Sequence, residues 1–238
     1  MKKSYLLIAA LAIVCLGWYG SRLGRDDYVY DDAYLQAVED AKICEAEEIE
    51  PLMELPDGET LLVSWHNFPN EFNPGAVYTA TEKLQLWCVS YEELKEWFDL
   101  NGENVGDWTK RFEQLLGLPA GFGYTHFTAF TVKPEDVYRP AYQPDPQKQV
   151  LPQDLDGSML GEYQSWFGGN EEWSYETSAW PWTRLGYTYD WCEGAEKGLS
   201  EFIIKDGAQV QTEWTVKTSE LVDMLEEGLM EPEEMAKD

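Results

Sequence analysis

The sequence predicts an α+β fold, a mixed, mainly antiparallel sheet with several packed helices. Three observations lead there. Strand-like runs and capped helical runs are interspersed without the regular βαβ succession that a parallel sheet requires. Hydrophobic residues make up 44% of the 238, enough for a sizeable core. Aromatics reach 14%, including 11 Trp and 14 Tyr, and supply large flat faces for a core or for a ligand platform.

The chain opens "MKKSYLLIAALAIVCLGWYG", two lysines before an apolar run from Tyr5 to about Trp18. That pattern reads as an export signal, so residues 1–20 are expected to be a signal peptide or N-terminal signal anchor. The protein is then extracytoplasmic, in the periplasm or at the cell surface, and meets the membrane only through this segment if it is uncleaved. Residues 21–50 read as an acidic helical segment with an apolar stripe of Tyr28, Leu35, Val38 and Ala41, ended by Pro51. Residues 51–230 read as a single α+β domain and 231–238 as an acidic disordered tail.

Within the domain, "ETLLVSWH", Val77–Ala80 and Leu84–Val89 read as strands. Ser90 and Glu93 form a capping box, each satisfying a free backbone N–H at a helix start, and Asn101-Gly102 stops that helix. Asp107 opens the next helix and Gly117 closes it. "YTHFTAFTV" alternates as a strand, and residues 133–157, with five prolines, read as a long surface loop. A helix is expected over Met159–Phe167, stopped by Gly168-Gly169. Strands follow at Thr183–Trp191, Leu199–Lys205 and Ala208–Val216, the last two joined by a turn at "KDG", before a helix from Thr218.

Charge excludes one class of partner. Forty-five acidic residues against 17 basic give −28, which repels a phosphate backbone, so no nucleic-acid partner is expected. The expected partner is a small molecule or an envelope component. Phosphate-loop, dinucleotide-binding and nucleophile-elbow motifs are lacking, and the sequence names no cofactor. "PQDLDGSMLGEY" places Asp154, Asp156 and Gly157 as in a calcium loop, but Pro152 and Tyr163 occupy its first and last ligand positions, so no metal is expected. Without residues 1–20, Cys44, Cys88 and Cys192 remain; a Cys44–Cys192 bridge is compatible with an oxidising compartment.

The candidate site residues centre on "PWTRLGYTYDW", Pro181–Trp191. As a strand it puts Leu185, Tyr187, Tyr189 and Trp191 on one face and Arg184, Gly186, Thr188 and Asp190 on the other. The second face offers an anion binder, a gap, a hydroxyl and a carboxylate; an exposed sheet face with a weak Arg–Asp pair is the plainer alternative. Arg139 stands before Pro140, which favours extended backbone and a presented side chain. Glu201 is a charge out of pattern in an apolar strand. His66 and His126 are the only histidines, and His126 shares a strand face with Tyr124, Thr128 and Phe130. Candidate catalytic residues are therefore His126 and Glu201, and candidate ligand-binding residues Arg139, Arg184, Thr188 and Asp190.

The runs "YTHFTAF", "VYRPAY", "PWTRLGYTYDW" and "GLSEFIIKDGA" resemble a set of uncharacterised bacterial proteins carrying them in the same order, over roughly Trp87 to Trp214. That resemblance implies a shared fold and no activity; Cys192 stands where those proteins are expected to have glycine. Glu201, three apolar residues, a turn with Gly207 and another strand also resemble the catalytic-glutamate segment of ADP-ribosyltransferases. That second resemblance implies a glutamate holding a nicotinamide-ribose hydroxyl, with His126 or Arg139 anchoring NAD. Three functions follow as expectations: a cleft for a small anionic ligand or substrate, an envelope binding protein that takes a glycan, or an NAD-using transferase.

Overall fold

The computed structural model describes residues 30–155 and 161–232. The expected export signal, Asp156, Gly157 and most of the acidic tail lie outside the described residues. Among the described residues five α-helices and eight strands alternate irregularly. They are α1 (Asp32–Ala41), β1 (Thr60–His66), β2 (Val77–Thr79), β3 (Trp87–Ser90), α2 (Tyr91–Asn101), α3 (Trp108–Leu115), β4 (His126–Val132), β5 (Val137–Tyr138), α4 (Glu162–Glu172), β6 (Tyr187–Tyr189), β7 (Lys197–Ile204), β8 (Gln209–Lys217) and α5 (Thr218–Glu227).

Every strand pair is antiparallel, in the order β2-β8-β4-β1-β3-β7-β5, with β6 also on β7. β6 and β5 follow one another along one edge of β7, and β3 takes the other edge. β7 and β8 are joined by four residues yet are not neighbours; β4, β1 and β3 lie between them. Four strand spacings span about 19 Å in a flat sheet, whereas five peptide steps reach at most about 17 Å. The sheet therefore curls, and the "KDG" turn is a crossover rather than a hairpin. Gly207 at φ +77 makes that turn, and its N–H donates to Ala80 O (3.0 Å).

Side-chain alternation divides the core between the two sheet faces. On one, Val63, Val89, Phe127, Ala129, Leu199 and Trp214 pack beneath α2, α3 and α5. On the other, inside the curl, Leu62, Cys88, Phe130, Phe202, Ile204 and Val210 pack with Leu55 and Phe72. A third cluster joins α4 through Phe167 to Trp182, Leu185 and Tyr187, and a fourth seats α1 on Tyr189 and Trp191.

Helix starts fall where expected. Ser90 Oγ accepts the Glu93 N–H and Asp107 caps α3, while α5 begins at Thr218 without a side-chain cap from Lys217. Glu93 does not complete the box. The Ser200 N–H points to the edge of β7 that β3 occupies, but β3 has already turned into α2 there. The Glu93 carboxylate takes the missing strand's place, accepting from Ser200 N (2.8 Å) and Oγ (3.1 Å). Burial pushes its carboxyl above the usual range. Nor does Gly168-Gly169 stop a helix: α4 runs through both to Glu172 and continues into a π-helical turn, Trp173–Thr177. Two glycines cost a helix only about 1 kcal/mol each, which Phe167 in the core and the Glu171–Arg184 ion pair outweigh.

Candidate functional site

Segment 181–191 is not the pleated strand that alternation predicts. Arg184 (φ +61) and Gly186 (φ +85) lie in the left-handed region, and only Tyr187–Tyr189 pairs as a strand, with a bulge. The tight fold back lets Tyr142 N–H donate to Arg184 O (3.0 Å) and forms the Trp182–Thr188 bridge. All eleven residues are buried, so neither an exposed face nor an open wall exists there.

Each expected ligand-binding side chain has an internal task. Arg184 closes the C-terminal end of α1: Nη2 donates to Ala41 O and Lys42 O (2.9 Å each), carbonyls that a helix end leaves unpaired. Its Nη1 reaches Glu171 (2.6 Å), and the guanidinium lies over Tyr142 and Tyr175. Thr188 Oγ1 donates to Leu115 O at the end of α3 (2.6 Å) and accepts the Leu199 N–H (3.0 Å), mending the bulge. Gly198 is obligatory there, because a Cβ would lie 2.2 Å from Thr188 Oγ1 and 2.6 Å from Leu115 O. Asp190 does not pair with Arg184. It takes both Nη atoms of Arg111 on α3 (2.9 and 2.6 Å) and the Cys192 N–H (3.1 Å).

Arg139 corrects the expectation of a presented side chain most sharply: it is 0% exposed. Its guanidinium stacks over Phe202 (4.5 Å) and donates to Gly186 O (3.3 Å), Pro146 O (3.1 Å) and Met53 O, tying three loop carbonyls together. Burial lowers it to about 10. Pro140 does favour extended backbone, but extension aims the side chain under the loop. No ligand reaches it without unfolding that loop.

The two candidate catalytic residues stand apart. His126 pairs in register with His66, and Glu201 with Val89, which is level with Val63. They are three strands apart, about 14 Å, and offset by three residues, about 10 Å. His126 is partly exposed, its Nδ1 2.8 Å from Thr125 Oγ1. The buried histidine is His66, stacked on Phe68 (4.8 Å). The Phe68 N–H donates to its Nδ1 (3.2 Å), so Nε2 carries the proton and donates to Thr128 Oγ1 (2.7 Å). Burial holds His66 neutral, down to about 3.

Glu201 is the one candidate without an internal task. Its carboxyl makes no hydrogen bond or ion pair among the described residues, and burial pushes it up to about 8. Arg139 does not compensate it: the guanidinium lies over Phe202, and adjacent strand residues point to opposite faces. Glu201 sits at a seam on its own face. Val89 and Leu199 beside it belong to the α2–α3–α5 cluster, whereas Trp87, diagonally across, packs with the α4 cluster. Glu201 is half-buried at this junction.

The shallow depression at Arg184 is lined by Lys42, Gly168, Glu171, Glu172, Tyr175 and Glu176, and His126 is not among them. Among the described residues no group of three His, Cys, Asp or Glu could hold a metal ion, and no helix is long and apolar enough to cross a membrane. Cys44, Cys88 and Cys192 are free thiols, so the Cys44–Cys192 bridge is not formed. The segment from Glu201 through Gly207 to β8 has the expected strand–turn–strand succession, with its two strands apart in the sheet. Comparison with protein-family models, with curated proteins and with solved structures gives no match.

Proposed function

We propose that this is a binding protein of the extracytoplasmic side, and that it takes its ligand at the seam around Glu201. The observation that carries this reading is the carboxyl itself, on a half-buried residue, held protonated by burial and unpartnered where nearly every buried polar group has a partner. The basic opening and apolar run of the sequence support export. The anion cleft loses its support because Arg139 is sealed and Arg184 closes a helix. A polar group left waiting in an apolar frame is how small-molecule sites are commonly built.

The test is a thermal-unfolding screen of the protein against neutral, anionic and cationic small molecules, since a ligand that binds the folded state raises Tm. At least one class should raise it, and less so in Glu201→Ala. If none does, the reading fails. Nicotinamide release from NAD that Glu201→Gln abolishes would replace binding with ribosyl transfer.

A further inference from the structure

The surroundings of Glu201 name a class of ligand. Tyr138 on β5, Ile203 on β7 and Trp87 on β3 are cross-strand neighbours in one row. Glu201 lies on the same face two residues along β7, beside that row. On its other flank is Gly186, whose carbonyl accepts the Glu201 N–H (2.9 Å). Trp166 of α4 lies over the row, its ring centroid 5.2 Å from Tyr138 and 6.4 Å from Trp87, with Tyr163 5.4 Å from Trp166. Gln85 Nε2 donates to Tyr138 Oη (3.2 Å). All of these rings, Gln85 and Glu201 are partly exposed, in contrast to the buried aromatics of the central core.

The combination is aromatic carbon beside an uncharged carboxyl and a carboxamide. A sugar ring is complementary to it, having one face of C–H groups to lie on indole or phenol and an edge of hydroxyls to exchange hydrogen bonds with Glu201 and Gln85. A protonated carboxyl both donates and accepts, as hydroxyls require. An anion is disfavoured by the −28 charge, and a cation would have to ionise a carboxyl that its surroundings keep neutral. Resting on the binding reading above, we infer that the seam between α4 and the β3–β7 face binds a neutral saccharide, stacked on Trp87 and Trp166 and hydrogen-bonded by Glu201 and Gln85.

The experiment follows tryptophan emission while the whole protein is titrated with chitotriose, cellotriose, citrate or spermidine. A saturable response to one of the two trisaccharides is expected. It should weaken about tenfold in Glu201→Ala, about threefold to tenfold in Gln85→Ala, and stay within about threefold in Glu201→Gln, which keeps a donor and an acceptor. Gln85 is partly exposed, so its variant probes the site without opening the core. A response only to citrate or spermidine that Glu201→Gln alters overturns the saccharide and leaves the binding site standing. A saccharide response untouched by either alanine variant places the sugar elsewhere and overturns the assignment. No response to any of the four overturns both readings.

Discussion

Two regions ten residues apart in sequence, 181–191 and Glu201, treat their polar groups in opposite ways. In 181–191, Arg184, Thr188 and Asp190 are buried and engaged, one with a helix end, one with a bulge and one with an arginine on α3. At Glu201 a half-buried carboxyl makes no hydrogen bond or ion pair among the described residues. The difference teaches that burial of charge says little by itself. Where partners are supplied, a buried polar group stabilises the scaffold; where they are withheld, the energy is held against stability and is available to a ligand. Substitutions in the first region should therefore destabilise, and removal of the charge in the second should stabilise.

The largest effect is expected outside both, at the clasp beneath them. Arg139→Met removes three hydrogen bonds from a charged donor, each contributing about 1.5–3 kcal/mol; Met53 O loses its donor altogether, while Gly186 O and Pro146 O keep the N–H groups of Glu201 and Leu55. Urea unfolding should show a loss of about 4 kcal/mol. A loss under 1 kcal/mol would mean that the loop re-solvates freely and that Arg139 is not a tie. Asp190→Asn comes next, at about 3 kcal/mol, because Arg111 keeps its charge with its carboxylate gone. The same measurement checks it, and a neutral outcome would make the first region as permissive as the second.

How much of this was legible in the sequence depends on whether the signal was local. β1, β4, β7 and β8 declare themselves by alternation, and α2 and α3 by their caps, since both patterns act within one element. Segment 181–191 misled because alternation assumes a pleat, whereas Arg184 and Gly186 at positive φ abandon it, and what holds Arg184 there is the end of a helix more than 140 residues earlier. Glu93 reads as a capping box from its spacing, yet it serves a strand edge visible only once β3 and β7 are paired. Glu201 was legible as a charge out of pattern. Its aromatic neighbours were not, because Trp87, Tyr138 and Trp166 come from three separated elements.

Acidity should separate the two buried titratable groups. The Glu201 carboxyl is raised from about 4.3 in the unfolded chain to about 8 in the folded protein. Its contribution is fully present below about pH 4.3 and is lost as pH rises toward 8. Glu201→Gln abolishes that loss, so the variant should match the wild type near pH 4 and exceed it by about 2 kcal/mol at pH 8, well under the full-burial ceiling. His66 runs the other way. Lowered from about 6.5 to about 3, it contributes fully above pH 6.5 and loses stability as pH falls toward 3, and His66→Gln should flatten that acid limb. Urea midpoints from pH 3 to 9 for the three proteins test both. An alkaline limb that persists in Glu201→Gln would show that the carboxyl is solvated.

The smallest effect is expected where the first region meets solvent. Glu171 is 41% exposed while its partner Arg184 is 7% exposed, so water and salt screen one end of the pair. In Glu171→Gln the guanidinium keeps both helix-end carbonyls and both tyrosine faces, and it gains water at the vacated Nη1. The loss should be about 0.5–1 kcal/mol and should shrink as salt is raised. Arg184→Met, by contrast, strips the end of α1 and should speed amide exchange along that helix, which Glu171→Gln leaves protected. If Glu171→Gln costs as much as Arg184→Met, Arg184 is held by its carboxylate and not by the helix, and the engaged region would depend on a surface charge. If the two separate as expected, the ion pair is an outer trim on a tie made by backbone carbonyls, and the contrast with the unpartnered Glu201 stands on hydrogen bonds rather than on charge.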